Sequence, residues 1–204
     1  PFDPRTLMRE PLPSLPPAAP RKGNRFSRWL GRGILAVMGW RIQGELPNQP
    51  QLVVAVGPHT SNWDFIIAMG VILALGVRVN YLMKREAFFW PLGGLFRWLG
   101  GIPLDRRATA DTVEQIVEHY RQSSGLWLAI TPEGTRAKVR YWKTGFLRIA
   151  ADAQVPVLIA AWDYSRRTFV IDTVWPVTGD HIVDAEAIRQ YVCNSYQGRY
   201  PALQ

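Results

Sequence analysis

Short apolar runs alternate with longer helical stretches along most of the chain, and this alternation is the strongest constraint on the fold. The runs typical of buried strands cover 52–57, 79–84, 102–104, 126–130, 155–162 and 168–175. The helical stretches lie at 62–76, 86–99, 109–123, 145–153 and 184–200. Strands that alternate with helices predict an α/β fold around a mostly parallel sheet flanked by helices. A length of 204 residues fits a single domain of this kind.

The first 45 residues differ in composition from the rest of the chain. Residues 1–20 contain seven prolines, which predicts an extended arm. Residues 21–45 are basic and predict an amphipathic helix that associates with a membrane, followed by the main domain at 46–204. Its apolar positions have helical spacing: Phe26, Trp29, Leu30, Gly33, Val37 and Met38. The spacing alone leaves open whether this stripe packs on the core or on lipid.

The charge balance favours an anionic partner. Lys and Arg number 24 against 16 Asp and Glu, for a formal charge of +8. Nucleic acid, an acidic membrane surface and phosphorylated substrates all fit such a surplus. Nine tryptophans favour the membrane interface, where indole rings are stable. The cations outside the N-terminal segment are scattered and form no nucleic-acid motif, so nucleic acid is not an expected partner.

The cysteine count and the length of the apolar runs indicate the cellular compartment. Cys193 is the single cysteine, which excludes an intrachain disulfide and favours a reducing compartment. The longest apolar run, residues 65–77, is shorter than the roughly 18 residues of a membrane span. We therefore expect a peripheral protein at the cytoplasmic face of a membrane.

A histidine and an aspartate follow the first strand of the main domain. His59 lies just past the strand that ends at Gly57, and Asp64 comes five residues later. If a helix begins at Asn62, the carboxylate of Asp64 reaches back to the imidazole. A carboxylate on one ring nitrogen leaves the other nitrogen as a general base. By itself the spacing is weak, because a histidine in a loop is commonly structural.

Basic residues and a glycine-containing turn follow other predicted strands. Arg106 follows the strand at 102–104, and Lys84 ends the strand at 79–84, where it either adds positive charge or pairs with Glu86. The strand at 126–130 is followed by Glu133, Gly134, Thr135 and Arg136. An arginine beside a glycine turn suits a phosphate, through its forked guanidinium and nearby backbone N–H groups. Such cations at the ends of strands in one sheet predict a shared anion site.

Four ordered blocks in this chain resemble those of the lysophospholipid or glycerol-phosphate acyltransferases, which include the 1-acylglycerol-3-phosphate acyltransferases. The blocks are His59 with Asp64, Gly101 to Arg106, Pro132 to Arg136, and Val155 to Val157. The resemblance covers roughly residues 50–175. Four blocks in the family's order form a specific signal, although each alone does not.

The resemblance implies an O-acyltransferase of phospholipid biosynthesis. It implies that His59 is the base for the acceptor hydroxyl and that Asp64 orients it. Arg106, Glu133 and Arg136 then bind the acceptor's phosphate, and we place Gly134, Thr135 and Lys84 in the same binding region. The family's acyl donor is a thioester of coenzyme A or of acyl carrier protein, and no metal or other cofactor is expected. The oxyanion of the reaction needs donors, which we expect among backbone N–H groups near Gly134 or Gly57.

Departures from the family pattern leave the acceptor open. Pro58 stands where asparagine is frequent, and Thr131 stands where an aromatic residue is common. The segment after the third block, 137–150, resembles a compact bacterial branch with poorly defined acceptors. Two alternatives therefore remain. The protein transfers acyl groups to a hydroxyl that is not on a glycerolipid, or it is a non-catalytic membrane-binding accessory protein with the same fold.

Overall fold

The computed structural model of the protein describes residues 11–104 and 109–204. Its helices are α1 (Arg25–Met38), α2 (Trp63–Leu75), α3 (Leu92–Leu99), α4 (Thr109–Gln122), α5 (Gly145–Asp152) and α6 (His181–Ser195). Its strands are β1 (Arg41–Gly44), β2 (Gln51–Gly57), β3 (Val79–Lys84), β4 (Gly101–Leu104), β5 (Leu126–Ile130), β6 (Val157–Asp163) and β7 (Thr168–Trp175). Two short 3₁₀ helices cover Arg85–Ala87 and Pro201–Leu203.

The strands of these described ranges form one seven-stranded sheet in the order β1-β7-β6-β2-β5-β3-β4. Strands β6, β2, β5, β3 and β4 run parallel to one another, whereas β7 is antiparallel to β6. The predicted α/β fold with a mostly parallel sheet is therefore confirmed. Parallel strands end at a common edge, and in open α/β sheets ligands bind beyond these carboxyl ends. The loop after β2, which carries His59, lies at this edge.

Each face of the sheet is covered by its own hydrophobic cluster. On one face, Leu35 of α1 and Ile67 of α2 pack with Val54 of β2. On the other, Tyr120 of α4, Phe146 of α5 and Ile188 of α6 pack against buried strand residues. Strand β2 is buried on both faces, which explains why its sequence, QLVVAVG, is almost continuously apolar. The central strand therefore gives His59 a rigid support.

Helix α1 lies directly on α2 through small residues. Gly31 approaches the backbone of α2 so closely that a Cβ there would collide with Ala74 and lie 2.7 Å from the carbonyl oxygen of Gly70. The core-facing side of α1 carries Ser27, Gly31 and Leu35. The apolar stripe predicted from the sequence points elsewhere: Phe26, Trp29, Leu30 and Val37 are exposed. Thus most of that stripe does not pack on the core.

The predicted helical segment 21–45 is shorter in the structure. Asn24 caps the start of α1, and Gly39, in the left-handed conformation at φ 73°, ends it. Residues 41–44 then form β1, which pairs in parallel with β7. Sequence periodicity missed this edge strand because four residues are too few to show an alternating pattern. Within the described ranges, no helix is both long and apolar enough to cross a bilayer.

Candidate active site

The loop between β2 and α2 brings the predicted histidine and aspartate together. The Nδ1 atom of His59 lies 3.0 Å from Oδ2 of Asp64, which sits in the first turn of α2. This contact fixes the orientation of the imidazole and leaves Nε2 as the nitrogen that can accept a proton. The His59 side chain is 20% exposed, so a substrate hydroxyl can reach it. The contact predicted from the sequence is therefore present.

Asp64 is fully buried and held by several donors. Its Oδ2 accepts the backbone N–H groups of Thr60 at 3.0 Å and Ser61 at 2.9 Å, in addition to the His59 contact. Its Oδ1 accepts the hydroxyl of Tyr164. Hydrogen bonds from several donors stabilise a buried carboxylate in its charged form. The four donors thus hold one carboxylate in a single orientation behind the imidazole.

Glu133 makes a different contact from the one predicted. Both of its carboxylate oxygens accept the backbone N–H of His59, at 2.9 and 3.0 Å. Burial raises the pKa of Glu133 to about 7, although the His59 hydrogen bond and charge oppose the shift. In this structure the carboxylate therefore holds the backbone of the general base, and its predicted contact with the acceptor's phosphate remains untested.

The turn after β5 presents its other residues outward. The N–H of Gly134, at φ 66°, donates to the carbonyl of Thr131 at 3.0 Å. That amide is used within the turn, and the expected oxyanion donor near Gly134 or Gly57 stays a prediction. Thr135 and Arg136 are exposed. The ammonium of Lys143 overlies the turn, since a Cβ on Gly134 would lie 2.8 Å from its Nζ.

The structure does not describe the side chains of two predicted acceptor-binding residues. Arg106 falls in 105–108, outside the described residues. Lys84 is the last residue of β3, but its side chain is also outside the description. The backbone of β3 does place Lys84 at the same sheet edge as His59, because β3 and β2 are both parallel to β5. The roles of Arg106 and Lys84 remain predictions.

Two aromatic residues at the site were not singled out for it from the sequence. Tyr164 follows β6, the strand beside β2, and so stands at the carboxyl edge where reactive groups were expected. Trp142 is buried, and its ring packs against Gly57, where a Cβ would lie 2.9 Å from it. The rule that strand ends carry functional groups applies to Tyr164, whereas no sequence pattern indicates the Trp142 contact.

The C-terminal segment, residues 197–200, contacts the loop that carries His59. The backbone N–H of Tyr200 donates to Oγ1 of Thr60 at 3.2 Å, and Gly198 packs against the same threonine. The N–H of Tyr164 donates to the carbonyl of Gln197 at 2.8 Å. These contacts join the loop to the C-terminal segment as well as to α2. A histidine with one nitrogen oriented by a buried carboxylate, in a loop held by both, is suited to remove a proton from a hydroxyl.

Comparison with known proteins gives a consistent family. A family model described as acyltransferase matches residues 40–161, more than half of the chain. A 1-acyl-sn-glycerol-3-phosphate acyltransferase from Pseudomonas aeruginosa is 26% identical in an alignment of 163 residues that covers 76% of this chain. The 1-acyl-sn-glycerol-3-phosphate acyltransferase beta of Homo sapiens is 32% identical in an alignment of 139 residues that covers 64% of this chain and 49% of the human protein. This chain spans 58% of the length of the Pseudomonas relative.

The fold is also found in a solved structure of a related protein. The 1-acyl-sn-glycerophosphate acyltransferase of Thermotoga maritima superposes with a TM-score of 0.60 and 19% sequence identity. The match covers 82% of this chain and 76% of that one. At this identity the likeness concerns the fold alone.

Proposed function

The chain belongs to the acyltransferase family, and from that premise we propose that it transfers a fatty-acyl group from a thioester to the hydroxyl of a 1-acylglycerol-3-phosphate-like acceptor. The names of the Pseudomonas and human relatives support this acceptor class. The observation that carries the proposal is the 3.0 Å contact between His59 Nδ1 and a fully buried Asp64.

The reaction needs two proton transfers and one substitution at a carbonyl carbon. Nε2 of His59 takes the proton of the acceptor hydroxyl while its oxygen attacks the thioester carbonyl. The tetrahedral intermediate then expels the thiolate, which takes a proton from the imidazolium, and an ester and a free thiol result. Asp64 stabilises the imidazolium in this cycle. A positioned general base typically contributes about 10²–10⁴-fold to the rate.

Cations around the turn after β5 are proposed to hold the acceptor's phosphate. Arg136 is exposed and Lys143 lies over Gly134, so both are accessible to a ligand at this edge. Arg106 and Lys84 are proposed to add to this anion site, as their positions after β4 and at the end of β3 suggest. Glu133 is proposed to act on the base instead, because its two oxygens hold the His59 amide.

The protein is proposed to work as a peripheral protein on the cytoplasmic face of an anionic membrane. Helix α1 supports this placement. Its outer side exposes Phe26, Trp29 and Val37, while Arg25 and Arg28 are exposed on a neighbouring side of the helix. A helix with apolar and basic sides of this kind binds at the headgroup boundary. The acyl donor, coenzyme A or acyl carrier protein, brings the thioester as a second substrate, and the chemistry uses no cofactor.

A thioester-release assay tests the proposal. Purified protein is incubated with acyl-coenzyme A or with acylated carrier protein, and with acceptors with and without a phosphate, both glycerolipid and non-lipid. We expect thiol release that requires a 1-acylglycerol-3-phosphate-type acceptor and that disappears in His59→Ala. Thiol release that occurs only with a non-lipid alcohol would show that the acceptor is not a glycerolipid. Absence of release with every pair, from folded protein that still binds vesicles, would support a non-catalytic membrane protein.

A further inference from the structure

A second group of exposed apolar side chains surrounds α3, separate from the stripe on α1. Its members are Phe89, Trp90, Leu92, Leu95 and Trp98, and we call this set the α3 surface. Trp90 is 91% exposed and Phe89 is 58% exposed. Contiguous apolar patches on proteins mark sites that contact another apolar body. The α3 surface is therefore a candidate for an interaction outside the catalytic chemistry.

Cations border the aromatic rings of this region. The ammonium of Lys22 lies 5.3 Å from the centroid of the Trp98 ring, and the guanidinium of Arg97 lies 5.6 Å from that of Phe88. The sequence of α3, LGGLFRWL, contains no acidic residue. Tryptophan and phenylalanine flanked by Lys and Arg are typical of the boundary between headgroups and acyl chains. This composition fits an anionic lipid surface better than an acidic or purely apolar protein partner.

The position of the α3 surface relates it to both α1 and His59. Lys22, just before α1, contacts Trp98 at the end of α3, so the two apolar regions are neighbours. Phe65 of α2 packs edge-on against Phe96 of α3, with ring centroids 6.2 Å apart. The Phe89–Trp90 pair follows β3 at the carboxyl edge of the parallel strands, which is also the edge of His59. A bilayer at this edge would thus bring lipid headgroups close to the catalytic loop.

We propose that the α3 surface is a second membrane-contacting element, whose occupant is the headgroup boundary of an anionic bilayer. It acts together with the exposed stripe of α1. Two apolar regions on different helices, with basic side chains at their rims, define a plane rather than a line of contact. The proposal rests on the proposed membrane location but not on acyl transfer.

Co-sedimentation with vesicles tests this element. The probe is a vesicle of phosphatidylglycerol mixed with phosphatidylcholine, with pure phosphatidylcholine as the comparison. The test variant is Trp90→Ser combined with Leu95→Ser. We expect its partitioning onto the anionic vesicles to fall by about tenfold or more, because two exposed apolar side chains no longer enter the boundary. The matched control is Ile182→Ser combined with Val183→Ser, which removes two exposed apolar side chains of α6.

Each outcome decides the proposal, and none depends on turnover. Loss of binding in the α3 variant and retention in the α6 control support it. Equal binding of wild type and the α3 variant would overturn it, as would an equal loss in the control. If light scattering instead shows a dimer that the α3 variant disrupts, and no vesicle binding by wild type, the surface serves a second copy of the chain. Circular dichroism of each variant establishes that the fold is intact.

A different observation concerns the residue that holds the far side of Asp64. The hydroxyl of Tyr164 donates to Oδ1, the oxygen that the His59 contact leaves free. Burial, reinforced by the hydrogen bond and the charge of Asp64, raises the pKa of Tyr164, so its hydroxyl stays protonated and donates. Tyr164 lies beyond residues 40–161, the range matched by the family model.

We infer that Tyr164 is a positioning residue, which acts on the base through Asp64. The donated hydrogen bond disperses the negative charge of the carboxylate, while the N–H groups of Thr60 and Ser61 keep Oδ2 directed toward the imidazole. In Tyr164→Phe the carboxylate loses this donor, and its charge acts more strongly on the imidazolium. The inference goes beyond the proposed function, since a non-catalytic protein with this geometry would show the same coupling.

Nuclear magnetic resonance of the histidines tests the inference without any substrate. The chain has three histidines, and His119→Ala and His181→Ala assign the signals. We expect the Nδ1–H proton signal of His59 to move downfield in Tyr164→Phe, because a carboxylate that has lost one donor accepts the imidazole N–H more strongly. Tyr120→Phe is the matched control, since it removes a buried hydroxyl that donates to the Leu52 carbonyl at 2.9 Å. A His59 Nδ1–H signal that stays in place in Tyr164→Phe, or that moves equally in Tyr120→Phe, would overturn the inference.

Discussion

The inner and outer halves of the catalytic edge are built differently. The inner half, with Asp64, Tyr164 and Glu133, is a set of hydrogen bonds around the His59 loop, and its two carboxylates are buried. The outer half, with Arg136 and Lys143, consists of exposed cations on a turn. This difference indicates that the proposed proton transfer depends on fixed geometry, whereas the proposed acceptor recognition depends on accessible charge. Substitutions in the two halves should therefore fail in different ways.

Removal of the proposed general base, His59, should give the largest loss of activity and tests the inner half. We expect His59→Ala to lower kcat by about 10²–10⁴-fold while the thermal unfolding temperature stays near that of wild type. In this variant the buried Asp64 keeps its donors Thr60, Ser61 and Tyr164, so the fold should persist while the chemistry is lost. His119→Ala, which removes an exposed histidine of α4, is the control and should retain wild-type turnover. Comparable activity of His59→Ala and wild type would exclude the mechanism.

Asp64→Asn should damage both turnover and stability. The amide would direct an NH₂ group toward the N–H donors of Thr60 and Ser61, or toward Tyr164. We expect a loss of about 10²-fold in kcat and of about 1–3 kcal/mol in the free energy of unfolding, because buried donors lose their acceptor. Urea denaturation and steady-state kinetics measure the two losses. A variant with wild-type stability would mean that Asp64 is not held by these donors.

Glu133→Gln should change how stability depends on pH. Burial raises the pKa of Glu133 from 4.5 to about 7, so the folded state binds this proton more tightly than the unfolded state does. The free energy of unfolding of the wild type therefore falls as pH rises between these two values, by about 3 kcal/mol in total from this group.

Urea denaturation of Glu133→Gln between pH 5 and pH 8 measures this contribution. Glutamine has no proton to lose and its carbonyl still accepts the His59 N–H. The difference in unfolding free energy between variant and wild type should grow in favour of the variant as pH rises. A difference that stays constant over this range would show that the folded-state carboxyl titrates like an ordinary exposed one.

Arg136→Ala should have the smallest effect and define the outer half. We expect KM for a phosphate-bearing acceptor to rise about tenfold, with kcat and the unfolding temperature nearly unchanged, because an exposed cation contributes modestly to binding and little to folding. Lys138→Ala, another exposed cation of the same segment, is the comparison. A fall in kcat without a change in KM would indicate that Arg136 takes part in the chemical step and not in acceptor binding.

The parts of the site that could be predicted from the sequence are the local ones. His59 and Asp64 meet because a short loop and one helical turn separate them, and residue spacing describes such a contact. The family membership and the α/β fold were also predicted, since ordered motifs and alternating elements are properties of the chain itself.

The contacts that sequence could not predict join distant segments through groups without a sequence signature. Tyr164 is 100 residues from Asp64, and Glu133 is 74 residues from His59 and binds a backbone amide that every residue except proline possesses. The side of α1 that contacts the core could not be read from its stripe either. The glycine at position 31 determines it, because only a residue without a side chain permits the close approach to α2.

That close approach has a mechanical consequence. Because Gly31 of α1 lies against Gly70 and Ala74 of α2, the helix proposed to rest on lipid and the helix that carries Asp64 move as one body. A protein docked through α1 would lose its tumbling about the axes parallel to the membrane plane, and the imidazole would stay at a constant height above it. The encounter with an acceptor would then be a search in two dimensions by lateral diffusion. Gly31→Ala would force the two helices apart, since its Cβ would collide with the backbone nitrogen of Ala74, and would loosen the link between the docked helix and Asp64.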